Sequence, residues 1–387
     1  MYCFFPLIPH VFLISFCLAS PHHFLDLTKC CPGEPASDAL CWFLLSRPNK
    51  TIHRASRSRS SSTVGEMTIN GLLKGLQMDR WMSQLPDELM DVPLYNLAIP
   101  GSHNSITYCL DTSHASPVDL TQPVIVKQLD KYAKPVFRPF LYKWSVTQES
   151  TVLQQLDAGV RYFDLRIAHK FSDNSCNLYF YHGVHTTVTV EMVLNEISTW
   201  LEEHKREVVI LSFSHFLCFN QQLHKHLIQL VQTVFHKRLC PRNGEVTLRN
   251  MSERGHQLIV AYEHRDMIDL CDYLWDHIPY WWGNKCEAEA LIQELERRKQ
   301  CGRPGRFFVA GINLTVDAKH LLLNPRQSLK DMVMQTYPVL LKWLVKQLPG
   351  SGHSSINIIA GDFVTDTQLA PTVITLNEAL LNRMSSQ

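Results

Sequence analysis

Leu97-Ala98-Ile99-Pro100-Gly101-Ser102-His103-Asn104-Ser105 is the stretch on which the reading of the whole chain turns. Leu94 to Ile99 is a short apolar run and reads as a buried strand. Pro100 and Gly101 are expected to end it, because proline lacks the ladder donor and glycine tolerates a sharp turn. His103 and Asn104 then sit just past the strand's C-terminal end, the place where α/β barrels gather their catalytic groups. A loop histidine carries little by itself, so the weight falls on the residues downstream of it.

Beyond this loop, the chain alternates strand and helix patterns. Val160 to Ile167 alternates so that Tyr162, Asp164 and Arg166 share one face, while Phe163, Leu165 and Ile167 share the other. Leu178 to Tyr181 reads as a second strand ending in His182-Gly183. Glu207 to Phe213 is a near-continuous apolar run of the kind buried on both faces. Further strands are expected at Gln257–Tyr262, Arg306–Leu314 and Ile356–Asp362. Helices are expected at Thr147–Asp157, Val190–His204, Gln221–Lys237, Ala288–Lys299, Leu329–Leu348 and Val373–Met384. This order predicts an α/β fold of parallel strands alternating with helices, closed into a barrel that is irregular or open because only seven strands are distinct. Between Thr107 and Lys143 the period is lost and four prolines intervene, which predicts a long excursion over the active face with a short helix near Val124–Tyr132.

Four polar sets thereby fall at strand ends: His103 with Asn104, Asp164 with Arg166, His182, and Asp362 in Ala360-Gly361-Asp362. Singly, each has a plain structural explanation: an ion pair on one strand face, a core histidine, a turn cap. Together at one end of one barrel they match a chemical need. An internal hydroxyl attacking a phosphodiester requires a base, an acid for the leaving alkoxide, and a cation beside the developing charge. Histidine serves both proton roles near neutrality, and arginine supplies a permanent charge on a planar fork matched to phosphate oxygens.

Composition narrows the partners. The net charge is +1, so no bulk field favours nucleic acid, and no obligate protein partner is indicated. Of twelve cysteines, five lie in the first 41 residues; the other seven have no zinc spacing and read as reduced thiols. Phe4 to Ala19 is apolar and ends in small residues like a signal-peptide core, but no Lys or Arg precedes it, so a cytoplasmic protein is the expectation. Residues 1–66 read as a poorly structured extension ending in a Ser/Arg-rich linker, and residues 81–385 as one barrel domain. Asn49, Asn250 and Asn313 fit the glycosylation pattern, which recurs by chance. Pro279-Tyr280-Trp281-Trp282-Gly283 is an aromatic loop with two readings, a bilayer-interface anchor or part of the core.

LAIPGSHNS (Leu97–Ser105), LDAGVRYFDLR (Leu156–Arg166), YFYHG (Tyr179–Gly183) and EVVILSFSHF (Glu207–Phe216) together resemble the phosphatidylinositol-specific phospholipase C X-box, here about residues 87–263. The likeness runs from Trp81 to Leu381 and is closest to the small X-domain-containing phospholipases C, which lack accessory domains. It implies a PLC-like TIM barrel, a phosphatidylinositol or related phospholipid as substrate, transient contact with membranes, and no cofactor. By resemblance, His103 is the base for the inositol 2-hydroxyl and His182 the acid for the diacylglycerol oxygen. Arg166 matches the bacterial-type arginine that replaces a calcium-ligand carboxylate. Asp164 matches the acidic residue before it, and Asp362 the late-strand carboxylate that orients the base. Asn104 departs from the Asp usual in bacterial members. Calcium-dependent members carry Asn there as a metal ligand, but Arg166 opposes a cation that needs 6–8 oxygen ligands, so no metal is expected. His215 and Glu263, at or just past strand ends, are candidates for binding inositol hydroxyls. A metal-dependent glycerophosphodiesterase and a non-catalytic phosphoinositide-binding protein are the alternatives, the second kept open by Asn104.

Overall fold

In the computed structural model, residues 75–113, 124–170 and 175–385 are described. The expected N-terminal extension, its apolar run and the Ser/Arg-rich linker lie outside these residues. The strands are β1 (Ile99–Ser102), β2 (Tyr162–His169), β3 (Leu178–His182), β4 (Val184–Thr189) and β5 (Val209–Leu217). They are followed by β6 (Leu258–Tyr262), β7 (Leu274–Asp276), β8 (Tyr280–Trp281), β9 (Val309–Gly311) and β10 (Ile358–Gly361).

The main path runs β7-β6-β5-β2-β1-β10-β9-β8, and each neighbouring pair along it is parallel. β7 and β8 form the two edges of this path and are joined by residues 277–279 alone. The ring of parallel strands is therefore interrupted at a seam, in keeping with the expected irregular barrel. Helices fill the crossovers. Val190–Glu203 buries Val193, Leu194, Ile197 and Leu201 in one cluster with Phe163, Leu165 and Ile167. The opposite face of β2 begins with Tyr162, which packs in a second cluster with Ile99, Ile210, Val309, Ile358 and Ala360. The period-2 alternation thus separates barrel interior from helix layer.

Three expectations are corrected. Leu94–Asn96 is a 3₁₀ turn, and the strand is Ile99–Ser102, running through Pro100 and Gly101 rather than stopping at them. Gly101 is required by packing: a Cβ there would lie 2.9 Å from Tyr162 and 3.0 Å from Ile358. β3 is not a member of the parallel ring but pairs antiparallel with β2 and with β4, forming a hairpin at its margin. The helix expected from Thr147 is Val152–Asp157, opened by a Thr151–Gln154 capping box, which leaves residues 146–151 extended or turned.

The floor of the barrel is closed by the entry segment. Buried Glu207 accepts from the Met82 and Ser83 amides at 3.2 and 2.9 Å and from Arg161 Nε at 3.0 Å. Trp81 donates its indole N–H to the Gly159 carbonyl at 2.9 Å. None of the seven described cysteines forms a disulfide. Among the described residues no helix is long and apolar enough to cross a membrane.

Candidate active site

Interior-facing positions alternate along each strand, so the face that carries Ile99 and Gly101 in β1 next carries His103. The face with Ile358 and Ala360 in β10 next carries Asp362, and the face with Tyr162 in β2 next carries Asp164 and Arg166. β1 pairs with both β10 and β2, which places the three sets side by side at the C-terminal mouth. The side chains of His103, Asn104, Asp164, Arg166 and Asp362 are all buried.

His103 Nδ1 lies 2.8 Å from Asp362 Oδ1, so the imidazole donates from Nδ1 and leaves Nε2 as the acceptor. Nε2 faces Asn104 Nδ2 at 3.1 Å and lies 4.0 Å from Asp164 Oδ2. Arg166 Nε is also 4.0 Å from that carboxylate oxygen, so Asp164 stands between the imidazole and the guanidinium. The Asn104 amide donates to Asp164 Oδ2 at 3.1 Å, and Asn104 itself is in the left-handed region at φ 42°. Asn tolerates that conformation better than most residues, and here it turns the amide of the residue after His103 onto Asp164.

The two carboxylates differ electrostatically. Burial pushes Asp164 up, but Arg166, then His103, His215 and the Asn104 amide, outweigh it and hold its carboxyl below the ordinary range. Asp362 is pushed up by burial; His103 opposes this, and the Asp164 charge adds to it. Asp362 Oδ2 and Asn104 Oδ1 are buried with no hydrogen-bond partner among the described residues. Both are acceptors with capacity in reserve.

His182 ends β3, half-buried, with Nδ1 2.6 Å from the Ser145 carbonyl. This contact fixes the orientation of the ring through its Nδ1 edge. The antiparallel hairpin therefore brings His182 in from the side, against the end of the Lys134–Ser145 helix, rather than from a neighbouring barrel strand. Tyr181 anchors the hairpin by donating its hydroxyl to the His215 carbonyl at 2.8 Å. His215 stands on β5 at φ 52°, its Nδ1 3.0 Å from Ser214 Oγ, which lies 3.5 Å from Asp164 Oδ1. Glu263 accepts from the His215 backbone amide. His215 thus approaches Asp164, whereas Glu263 serves first as the brace of the β5 bend.

The aromatic loop reaches the site, and so do Thr147 and Gln148, which the sequence did not mark as site residues. Trp282 stands with its ring centroid 5.2 Å from that of His103, and Tyr280 at 6.2 Å. The aromatic loop accordingly belongs to the mouth and the core. Trp281 is buried against Phe308 at 4.6 Å, which fits the core reading, while Trp282 is half-buried at the mouth. Tyr280 donates to Asn313 Oδ1 at 2.8 Å, and burial, with the Asp164 charge, keeps its hydroxyl protonated. Asn313 is buried in that bond, so its glycosylation pattern is incompatible with the folded chain. Gln148 and Thr147 hold the loop carrying His103 from behind. The only signal for them in the sequence was that polar residues follow Trp144 at the end of the Pro-rich excursion.

A family model described as phosphatidylinositol-specific phospholipase C, X domain, matches residues 141–257, a span holding Asp164, Arg166, His182 and His215. PI-PLC X domain-containing protein 1 of Homo sapiens is 47% identical over 301 residues, covering 78% of this chain and 93% of the relative. PI-PLC X domain-containing protein 3 of Homo sapiens is 35% identical over 312 residues, covering 78% and 94%. Among solved structures, the phosphatidylinositol-specific phospholipase C of Listeria monocytogenes superposes with a TM-score of 0.55 at 18% identity, covering 78% of this chain and 99% of that one. A variant of the Staphylococcus aureus enzyme gives 0.52 at 13% identity, covering 79% and 98%. At such identities the structures speak for the fold, a PLC-like TIM barrel. With the sequence relatives the assignment is direct: this chain belongs to the family of PI-PLC X domain-containing proteins.

Proposed function

We propose that the chain is a phosphoric diester hydrolase of the phospholipase C type, acting on phosphatidylinositol or a related glycerophospholipid. The observation that carries this reading is the His103–Asp362 contact at 2.8 Å, with Nε2 turned toward the Asp164–Arg166 pair. In the proposed reaction His103 Nε2 takes the proton of the inositol 2-hydroxyl, whose oxygen bonds to phosphorus. Arg166 offsets the charge that builds on the phosphorane. The bond from phosphorus to the diacylglycerol oxygen breaks, and His182 Nε2–H protonates that oxygen. The products are diacylglycerol and an inositol 1,2-cyclic phosphate, which water then opens by the reverse use of the two histidines. Each proton transfer contributes ~10²–10⁴-fold, and a preorganised charge of the Arg166 kind ~10²–10³-fold.

Arg166 also bears on metals. Its guanidinium stands 4.0 Å from Asp164 Oδ2, where it opposes a second cation on the same carboxylate, so turnover is proposed to be independent of Ca²⁺. The protein is proposed to work from the cytoplasm in transient contact with membranes. A second reading, a phosphoinositide-binding protein without turnover, is favoured by one observation: Asn104 Nδ2 occupies the Nε2 lone pair that the base needs.

The test is release of soluble inositol phosphate from phosphatidylinositol vesicles in excess chelator, comparing wild type with His103→Ala and His182→Ala. Chelator-resistant release lost in both variants supports the two-histidine mechanism. Vesicle binding without release, unchanged by His103→Ala, supports the second reading.

A further inference from the structure

Both proposed proton carriers are held by one four-residue stretch, Ser145 to Gln148, of which residues 146–148 lie in neither strand nor helix. It leaves the end of the Lys134–Ser145 helix and crosses behind the mouth. At its start the Ser145 carbonyl receives His182 Nδ1 at 2.6 Å. Next, Thr147 Oγ1 lies 3.2 Å from the His103 carbonyl and 3.1 Å from that of Asn104, and the Thr147 carbonyl accepts from the Phe363 amide at 2.7 Å. At its end Gln148 Nε2 donates to the carbonyls of His103 and Gly361, each at 3.0 Å, while Gln148 Oε1 accepts from the Val364 amide at 3.1 Å. Gln148 is 1% exposed, so these bonds have no water to replace them.

We propose that Ser145–Gln148 is a positioning strap that sets the spacing between His103 and His182, with Gln148 as its anchor. Two features make it more than general packing. Gln148 joins the residue carrying the imidazole to the residue before its carboxylate partner, His103 to Gly361-Asp362, so its loss loosens the 2.8 Å contact itself. The other end is equally tight: Gly183, at φ 75°, follows His182, and a Cβ on it would lie 2.9 Å from Ser145 Oγ. Base and acid therefore share a covalent backbone reference four residues long. Displacing a reacting group by ~1 Å costs on the order of 10²-fold in rate.

This inference rests on the proposed phosphodiesterase reading, and the test separates the two. Gln148→Met keeps the side-chain length and removes the donor and acceptor. In the full-length chain, cleavage of phosphatidylinositol vesicles is expected to fall about 10²-fold in kcat with KM within about two-fold, the pattern of a lost orientation rather than lost binding. Independently of turnover, nitrogen NMR of the histidine side chains is expected to show His103 changing from a single Nδ1–H tautomer to a mixture, with the chain folded by circular dichroism. Thr147→Val tests the same strap should the first variant not fold. A lower Tm with unchanged kcat and an unchanged His103 tautomer would overturn the strap. Inactive wild type would overturn the phosphodiesterase reading, and the NMR result would still decide the strap.

Discussion

His103 Nδ1 and Asp362 Oδ1 are 2.8 Å apart at neighbouring strand ends, both side chains buried, although 259 residues separate them in the chain. The pair holds the imidazole in one tautomer. Asp362→Asn is expected to lower vesicle cleavage by ~10²–10⁴-fold, because the amide can reverse the tautomer. Its effect on stability should have the opposite sign. The folded carboxyl is raised above its unfolded value, so its contribution is full below the unfolded value and falls away as pH rises through the folded one. Removing a charge that burial disfavours should leave Tm at pH 7 unchanged or higher. Kinetics and a thermal melt on one preparation check both halves.

Asn104→Asp places a carboxylate where the amide now meets His103 Nε2 at 3.1 Å. A nearby negative charge favours the protonated imidazole, so the acid limb of the pH–rate profile should move to higher pH, by roughly one unit. The same variant relieves the capped lone pair, and release at alkaline pH should rise. A profile that does not move would show that residue 104 does not act on His103 during turnover.

The two tryptophans of the aromatic loop should part company. Trp281, buried against Phe308, is expected to cost ~3–5 kcal/mol on replacement by Ala. Trp282, half-buried beside His103, should cost little stability, lower cleavage several-fold, and leave vesicle binding unchanged. Urea unfolding and vesicle sedimentation distinguish these outcomes.

His224 lies in an aromatic nest with Phe216, Phe219, Tyr262 and His264, its Nδ1 2.8 Å from the Tyr262 hydroxyl. Burial, then the charge of His264, push it down to about 4. A histidine depressed in the fold binds its proton more readily when unfolded, so stability is full above pH 6.5 and declines as pH falls toward 4. Tm measured at pH 7 and pH 5 should therefore drop on acidification, and His224→Gln should flatten that drop.

Much of the site was legible because it obeys a local rule. Tyr162, Asp164 and Arg166 share a face by the two-residue period, and the same period carries His103 and Asp362 onto the interior once their strands are recognised. Where the reading slipped, the local signal was ambiguous. Pro100 and Gly101 look like a strand's end, but β1 lies against β10 and β2, and the glycine is there for Tyr162 to pack upon. The β3–β4 hairpin looks like one more parallel strand because an apolar run does not state the direction of its partner.

By itself, then, the sequence determined the α/β alternation, the inward face of each long strand and the chemical types gathered at its end, since period and residue chemistry are properties of the chain. Only the tertiary structure decided that His182 enters from an antiparallel hairpin, that Trp282 walls the site, and that Ser145–Gln148 ties both histidines together. Those relationships depend on which distant segments become neighbours when the barrel curves round to its seam. That is settled by burial and hydrogen-bond satisfaction over the whole fold, and no local pattern in the chain encodes it.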